Sequence, residues 1–319
     1  MAPAGIIHFV TVCAGNFAPQ LFALHMSISR HITDFKLHVI CVDDQIRHIL
    51  EHFKLKNIII HSEMDYMDTE LEDLKEQRTF GEFCWTITPT SILTVFKSDC
   101  SINKVTYVDA DCYLMSQPYK LFEFFDNSGK SVLISPHYFD ATEDQSHVAG
   151  KYCVQWVSVS RAGLHVIEEW DKKCREWCYN RFEDGKFGDQ KYLDYWLKDH
   201  SSYVIEVDNP TYMVAPWNIN VYAYSNAIMY HFHGVRIIKK NKFYLGSYVI
   251  PYEVKQNLYY DYLVELKGFM EQLTTAGFEL QPQIEIHIYK LFFDKIYTLI
   301  RRAFRYIRVR LSLDVMKIH

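Results

Sequence analysis

Short apolar runs rich in β-branched residues alternate with amphipathic segments through the first two-thirds of the chain. Such runs predict buried strands, and apolar residues spaced three or four apart predict helices. The predicted strands cover residues 6–12, 36–42, 58–60, 104–108, 131–135, 154–159, 204–207 and 228–232. Alternating strands and helices predict an α/β fold with a mostly parallel sheet and helices on both faces.

The same periodicity predicts helices that end near Arg30, run over 88–97 and 163–178, and span about 190–198. Pro89 suits the first turn of its helix, where a missing N–H has no consequence. Residues 63–75 are acidic and polar, which predicts a surface excursion. One α/β domain over 1–250, followed by a helical extension over 251–319, is the simplest division of the chain.

Composition indicates a folded globular protein with a localised basic region. The net charge is −5 and 49% of residues are hydrophobic, yet the segment from residue 286 carries eight Lys or Arg against two Asp. An acidic body with a basic tail argues against nucleic-acid binding. Eight cysteines without a Cys-x-x-Cys pair predict reduced thiols in a cytoplasmic protein, and neither a signal peptide nor a membrane-spanning run is expected.

Two carboxylates follow a hydrophobic strand directly. Asp109 and Asp111 are separated by one residue, so the pleat of a continuing strand would point both the same way. Ligands of open α/β sheets bind at the carboxyl ends of strands, and oxygen ligands suit Mn²⁺ or Mg²⁺ together with substrate phosphates. The pair therefore predicts a metal site, with a turn or helix cap as the structural alternative.

Three further motifs carry candidate chemistry. The segment Tyr-His-Phe-His-Gly at 230–234 offers His231 or His233 as a third metal ligand, with a pair of core histidines as the alternative. Asp189 stands where a helix N-cap is expected, and Gln190 follows it toward the cleft. Ala-Pro-Trp-Asn at 215–218 is a rigid turn that serves either as a core plug or as a wall of an acceptor pocket.

Taken in order and spacing, these motifs resemble bacterial-type glycosyltransferases of the GT-A fold. The set comprises Phe-Val-Thr-Val at 9–12, Asp109-x-Asp111, Gly-Asp-Gln at 188–190, Ala-Pro-Trp-Asn at 215–218 and His-Phe-His-Gly at 231–234. It is similar to the family-eight retaining galactosyl- and glucosyltransferases over roughly residues 5–240. The resemblance implies a metal-dependent transferase that moves a sugar from a nucleotide-diphosphate sugar, with a UDP-sugar favoured, to a glycan or lipid-linked acceptor.

The resemblance also implies residue roles. The nucleotide would lie along residues 9–14, including Thr11, Val12 and Ala14, and Mn²⁺ or Mg²⁺ would be held by the Asp pair with His231 or His233. Gln190 would lie near the anomeric carbon, and Asp189 would be the general base if the reaction inverts. The remaining implied contacts are Arg78 and Lys239 with the donor phosphates, and Trp217 and Asn218 with the acceptor.

The chain departs from the family pattern at several of these positions. Lys191 follows Asp-Gln where relatives carry Asp, and residues 152–155 replace the Asn and Gly found near the sugar. These departures keep a non-catalytic sugar-binding or scaffold protein open as an alternative. A haloacid-dehalogenase-type phosphohydrolase also ends a strand in Asp-x-Asp, but here about 100 residues precede the motif and Tyr113 occupies its usual Thr or Val position.

The C-terminal region predicts one long basic helix. From 289 to 310 apolar and aromatic residues fill one face, and arginines recur on the other. Such a helix suits an anionic membrane surface, which predicts a peripheral protein on the inner, cytoplasmic face of a membrane. Packing against its own domain or against a second subunit in a homo-oligomer is the alternative.

Overall fold

The computed structural model describes residues 5–283 and 315–317 of the chain. They belong to two compact units, Met1–His231 and Phe232–His319, so the division lies before the predicted one at residue 250. The predicted helix over 289–310 lies outside the described residues. Among the described helices, none combines the length and apolar character needed to cross a membrane.

A seven-stranded mixed sheet forms the centre of the first unit, with the strand order β3-β2-β1-β4-β7-β6-β8. Strands β3, β2, β1 and β4 run parallel, β7 runs antiparallel to both β4 and β6, and β6 is parallel to β8. The strands are β1 Ile7–Cys13, β2 Phe35–Cys41, β3 Ile58–His61, β4 Lys104–Val108, β5 Cys112–Leu114, β6 Val132–Pro136, β7 Tyr152–Ser160, β8 Val204–Glu206, β9 Met213–Val214 and β10 Met229–His231. In a separate three-stranded sheet, β10 pairs antiparallel with β5 and parallel with β9. This arrangement confirms the predicted α/β fold.

Helices of the first unit bury their apolar faces against the sheet core. Local capping defines several starts: Asp43 accepts from the Ile46 N–H, and Thr79 with Glu82 forms a capping box. The helices are α1 Ala18–His31, α2 Asp44–Phe53, α3 Glu63–Tyr66, α4 Thr69–Gln77, α5 Phe80–Thr86, α6 Thr88–Ser98, α7 Tyr119–Asn127, α8 Ser146–Ala149, α9 Leu164–Glu176 and α10 Trp196–Asp199.

Two segments differ from the predicted helix pattern. The acidic stretch 63–75 lies mostly at the surface, as predicted, but it forms the helices α3 and α4, whose buried Tyr66 and Leu71 supply apolar anchors within a polar sequence. The helix expected over 190–198 is a 3₁₀ helix, Gln190–Tyr195, followed by the single turn α10. A 3₁₀ helix has tighter hydrogen bonds and eclipsed side chains, which periodicity in sequence does not distinguish.

Three histidines form a hydrogen-bonded row across neighbouring parallel strands. His8 Nδ1 lies 3.0 Å from His38 Nε2, and His38 Nδ1 lies 2.9 Å from His61 Nε2. His38 and His61 are buried. Burial, followed by the charges of His61 and His8, lowers the pKa of His38 to about 3. Burial also lowers the pKa values of His8 and His61, so the row is neutral in the folded protein at neutral pH. Acidification is therefore expected to destabilise the fold.

The second unit combines a three-stranded sheet with a helical segment. Strand β11 (Arg236–Lys239) pairs antiparallel with β12 (Lys242–Tyr244), which pairs with β13 (Val315–Lys317). Helix α11 (Tyr252–Val254) continues through a π turn at Lys255–Tyr259 into α12 (Tyr260–Thr275). Phe232 stacks on Tyr262 with ring centroids 3.6 Å apart. The extension over 251–319 is thus helical in its first described part and contains a strand at 315–317.

Candidate active site

The two carboxylates of the Asp-x-Asp motif lie in a turn. Strand β4 ends at Val108, and the Cys112 N–H donates to the Asp109 carbonyl at 3.0 Å before β5 begins. The strand therefore does not continue through the motif, and the turn, which was the structural alternative, sets the directions of the two side chains in place of a strand pleat. The turn holds them at the carboxyl end of β4, the edge at which open α/β sheets bind ligands.

Strand pairing brings a histidine to this turn from a distant part of the chain. Strand β10 pairs antiparallel with β5 so that His231 lies opposite Cys112. His231 Nε2 is 3.0 Å from Asp111 Oδ1 and 3.8 Å from Asp109 Oδ2. The other predicted ligand, His233, is exposed in a turn of the second unit, because the strand ends at His231. The described geometry therefore groups His231 with the carboxylates.

Hydrogen bonds from neighbouring side chains fix the orientations of Asp109 and His231. Tyr107 donates its hydroxyl to Asp109 Oδ1 at 2.9 Å, and Gln155 Oε1 lies 2.9 Å from His231 Nδ1. The Trp217 ring meets the imidazole edge-on, with centroids 5.5 Å apart. Neither Tyr107 nor Gln155 was predicted for this site. In the sequence, Gln155 was noted only as part of the segment 152–155, which replaces the Asn and Gly that relatives carry near the sugar.

The donor set fits a divalent cation. With Nδ1 facing a carbonyl oxygen, the neutral imidazole carries its proton there and turns the Nε2 lone pair toward Asp111. Two electron-pair donors then face each other at 3.0 Å. A proton or a cation between them makes this arrangement favourable, and two carboxylates with one imidazole suit Mn²⁺ or Mg²⁺.

Cys112 offers a softer ligand atom, its thiol sulfur, as an alternative to a carboxylate oxygen in the candidate metal site. Ligand atoms of Asp109, Cys112 and His231 all lie within 4.8 Å of one another. Burial, with the charges of Asp109 and Asp111, raises the pKa of the Cys112 thiol well above its ordinary value. Sulfur suits softer cations, so the carboxylates remain the better donors for a hard cation.

Asp189 adds a third carboxylate near the pair. It is 2% exposed, and its Oδ2 has no hydrogen-bond partner. Burial, followed by the charge of Asp109, raises its pKa to about 7. Asp189 is the N-cap residue of the 3₁₀ helix, as the sequence predicted, but its side chain makes no capping hydrogen bond. An unpartnered buried carboxylate oxygen is a feature typical of ligand sites.

The two residues after Asp189 form hydrogen bonds with the segment that precedes β7. Gln190 Nε2 donates to the Ala149 carbonyl at 2.7 Å, and Lys191 Nζ donates to the Ser146 carbonyl at 2.9 Å. Lys191 also pairs with Asp194 at 2.9 Å. The lysine that departs from the family pattern therefore has a local structural role. The position of Gln190 near an anomeric carbon stays a prediction.

The predicted nucleotide residues lie at the same edge of the sheet as the carboxylates. Strands β1 and β4 run parallel with Val10 opposite Tyr107, so their carboxyl ends coincide. Thr11 is fully buried, its hydroxyl has no hydrogen-bond partner, and Ala14 is 6% exposed just beyond the strand. Val12 is half-buried between them. Their contact with a nucleotide base stays a prediction.

The two predicted phosphate contacts, Arg78 and Lys239, belong to different units. Arg78 follows the last residue of α4 and is 5% exposed. Its guanidinium donates to the Thr86 hydroxyl and to the carbonyls of Cys174 and Arg175, the latter two at 2.7 and 2.6 Å. These bonds make it a cap for the end of α9. Lys239 is exposed at the end of β11 in the second unit, and its phosphate contact stays a prediction.

The Ala-Pro-Trp-Asn turn is part of the core. Trp217 is 2% exposed and donates its indole N–H to the His137 carbonyl at 2.7 Å. Asn218 is fully buried, accepts from the Ala215 N–H and donates to the carbonyls of His137 and Met213. This geometry favours the core-plug interpretation over a direct acceptor contact for both residues.

Comparison with known proteins identifies relatives in sequence and in fold. No family model matches the chain. The uncharacterized protein YfnF of Bacillus subtilis (strain 168) is 28% identical over 255 residues, which cover 73% of this chain and 83% of YfnF. The uncharacterized protein YfnD of the same organism is 24% identical over 297 residues, covering 84% of this chain and 91% of YfnD.

Two solved structures share the fold at low sequence identity. The galactosyltransferase LgtC, in complex with donor and acceptor sugar analogs, is 13% identical with a TM-score of 0.52, covering 89% of this chain and 99% of LgtC. The apo-form glycosyltransferase GlyE of Streptococcus pneumoniae TIGR4 is 12% identical with a TM-score of 0.53, covering 88% of this chain and 66% of GlyE. The chain therefore has the GT-A fold of glycosyltransferases similar to family eight, as the sequence resemblance implied.

Proposed function

We propose that this protein is a metal-dependent glycosyltransferase that moves a sugar from a nucleotide-diphosphate sugar to a hydroxyl acceptor. The observation that carries the proposal is the convergence of Asp109, Asp111 and the Nε2 lone pair of His231 at the carboxyl edge of the sheet. These residues would hold Mn²⁺ or Mg²⁺. When bound, the cation neutralises negative charge on a diphosphate leaving group.

The surrounding residues would bind and orient the donor. The unpartnered Oδ2 of Asp189 is available to a sugar hydroxyl, and its pKa of about 7 lets it accept or donate a hydrogen bond near neutral pH. Gln190 is anchored through its amide nitrogen at Ala149, which fixes the direction of its carbonyl oxygen. We favour a UDP-sugar and a retaining reaction. In an inverting reaction Asp189 would be the general base.

Nucleotide binding tests the proposal directly. Nucleoside diphosphates and nucleotide sugars are added to the protein with and without Mn²⁺, and the melting temperature is measured. A ligand at about 100 times its Kd adds ~2.7 kcal/mol, which raises Tm by roughly 5–10 °C in a unit of this size. We expect such a rise for one nucleotide class, in the presence of Mn²⁺ only.

The double variant Asp109→Ala/Asp111→Ala is expected to lose this rise while it keeps its fold. A nucleotide effect that needs no metal, or none from any nucleotide, would contradict the proposed donor site. Metal-dependent binding without any release of nucleoside diphosphate would instead favour the alternative of a sugar-binding or scaffold protein.

For the acceptor, we propose a glycan or lipid-linked molecule at an anionic membrane surface. The support is the basic amphipathic pattern over 289–310, which lies outside the described residues. Each basic residue near such a surface adds on the order of 1 kcal/mol, and the attraction is screened by salt. We expect the chain to sediment with phosphatidylserine vesicles at low salt and to be released by high salt. Equal binding to neutral vesicles, or a salt-resistant dimer without vesicle binding, would contradict this assignment.

A further inference from the structure

Gln155 lies fully buried in the middle of β7. A glutamine is rarely buried to this extent unless its amide is hydrogen-bonded. Both ends of the amide have partners here, since Nε2 donates to Ser135 Oγ at 3.1 Å and Oε1 lies 2.9 Å from His231 Nδ1. The side chain therefore joins the sheet to the imidazole of the candidate cation site.

The backbone is irregular at this residue. Ile134 of β6 pairs with Val157, whereas the next residue, Ser135, pairs with Cys153. Residues 154–156 are thus extra on the β7 side of this ladder, as in a β-bulge. Bulges redirect a side chain and occur often beside active sites. Here the bulge contains Gln155, so the local backbone contributes to its reach toward His231.

The two contacts of the Gln155 amide set the direction of its hydrogen bonds: Nε2 faces Ser135 Oγ at 3.1 Å, and Oε1 faces His231 Nδ1 at 2.9 Å. The Ser135 hydroxyl can accept from Nε2 while its own hydrogen is directed at the Pro136 carbonyl, 3.5 Å away. The amide oxygen then faces His231, whose Nδ1 must carry the hydrogen. In the opposite tautomer, Nδ1 and Oε1 would be two acceptors in contact, which is unfavourable.

We propose that Gln155 is a positioning residue: it holds His231 in the Nδ1–H tautomer and thereby presents Nε2 to the cation bound by Asp109 and Asp111. The inference rests on the proposed metal site but concerns a residue outside it. Partners behind a ligating imidazole fix its tautomer and ring orientation, and their loss commonly weakens metal affinity or activity 10- to 100-fold.

Three variants separate positioning from simple packing. Gln155→Met keeps the length of the side chain but cannot accept from Nδ1–H. Gln155→Glu keeps an acceptor at that place, and the Ser135 hydroxyl can rotate to donate to it. Ser158→Ala removes two other buried polar contacts on the same strand, the 2.9 Å bond to Thr106 and the 3.0 Å bond from the Trp156 indole N–H, and is the matched control for lost stability.

Mn²⁺ affinity is measured by the electron paramagnetic resonance signal of the free ion. We expect Gln155→Met to bind Mn²⁺ about 10- to 100-fold more weakly, with Gln155→Glu and Ser158→Ala close to the wild type. Wild-type affinity in Gln155→Met, or equal losses in Gln155→Met and Ser158→Ala, would overturn the proposal.

A second readout separates this inference from the metal site itself. Long-range ¹H–¹⁵N spectra identify which ring nitrogen of His231 carries the hydrogen, with Mg²⁺ present as the diamagnetic cation. We expect the Nδ1–H tautomer in the wild type and a changed tautomer population in Gln155→Met. If the wild type fails to bind Mn²⁺, the metal proposal fails, and these spectra still decide the role of Gln155. An Nε2–H tautomer in the wild type, or an unchanged population in the variant, would overturn that role.

Discussion

Asp111→Asn is expected to lower the rate of nucleotide-sugar cleavage by about a thousandfold at saturating donor. The substitution keeps the shape of the side chain but removes the negative charge that faces His231 Nε2 at 3.0 Å. A bound cation supplies several kcal/mol of charge stabilisation, and ~4 kcal/mol corresponds to about three orders of magnitude in rate. The measurement is the release of nucleoside diphosphate from the donor that the nucleotide panel identifies, in the presence of Mn²⁺.

Cys112→Ser is the matched control for this experiment. Cys112 adjoins Asp111 in sequence and lies opposite His231 in the strand pair, but its protonated thiol donates only a weak bond to the Gln155 carbonyl at 3.9 Å. A serine hydroxyl can make the same bond, so activity within a few-fold of the wild type is expected. Equal losses in Cys112→Ser and Asp111→Asn would mean that the thiol is a ligand and that the cation is softer than Mn²⁺ or Mg²⁺.

Acidification is expected to destabilise the fold through the row of histidines on β1, β2 and β3. The pKa of His38 is about 3 in the folded protein, because the ring is buried and adjoins His61 and His8. Asp99 favours its protonation and Lys36 opposes it, both more weakly. The pKa of an unfolded histidine is about 6.5. The folded pKa is therefore depressed, and the folded state binds fewer protons than the unfolded one.

The stability contributed by neutral His38 is fully present above pH 6.5 and is lost as the pH falls toward about 3. Between pH 7 and pH 5 this group alone lowers the free energy of unfolding by about 2 kcal/mol. Urea unfolding at both pH values measures the loss. We expect His38→Asn, which does not titrate, to lose about 2 kcal/mol less than the wild type over this interval.

An exposed histidine provides the control for the acid-stability experiment. His48→Asn on α2 leaves the buried row intact, so its loss of stability between pH 7 and pH 5 should match that of the wild type. If His38→Asn loses as much stability as the wild type, His38 does not titrate at the expected pKa. The acid sensitivity of the protein then comes from other groups.

Sequence pattern predicted the sheet better than the helices. The strand expected over 104–108 is β4 to the residue, because a β-branched run bounded by polar residues is unambiguous. The helices α3 and α4 were missed because Tyr66 and Leu71 are too few to produce a visible apolar period. Tertiary packing and the Asp68 cap, which accepts from the Leu71 N–H, make these segments helical instead.

The candidate site was predicted in part. Asp109, Asp111 and a late histidine were expected together, and the β5–β10 pair explains why His231 is the histidine that meets them. The choice between His231 and His233 depends on where strand β10 ends, which sequence alone leaves open. The role of Gln155 could not be predicted from the segment 152–155, because it depends on a contact with His231, 76 residues away along the chain. The role of Tyr107 was missed because its bond to Asp109 depends on the turn that follows β4, where a continuing strand was expected.

The predicted ligand contacts of Asn218 and Arg78 are the ones that the structure supports least, because both side chains are buried and hydrogen-bonded within the protein. Asn218 uses both ends of its amide on the backbone, and Arg78 caps the end of α9. Polar residue types at motif-like spacing do not distinguish a buried structural hydrogen bond from a substrate contact. Burial and partner atoms decide between them.

A crystal grown with Mn²⁺ and the identified nucleoside diphosphate tests the central claim most directly. Data collected at the manganese absorption edge locate the ion independently of any assumption about its ligands. We expect an anomalous peak bounded by Asp109, Asp111 and His231, with the diphosphate in contact with the same ion. A nucleotide bound with no manganese at these three residues, or manganese held by Cys112 in place of Asp111, would contradict the account.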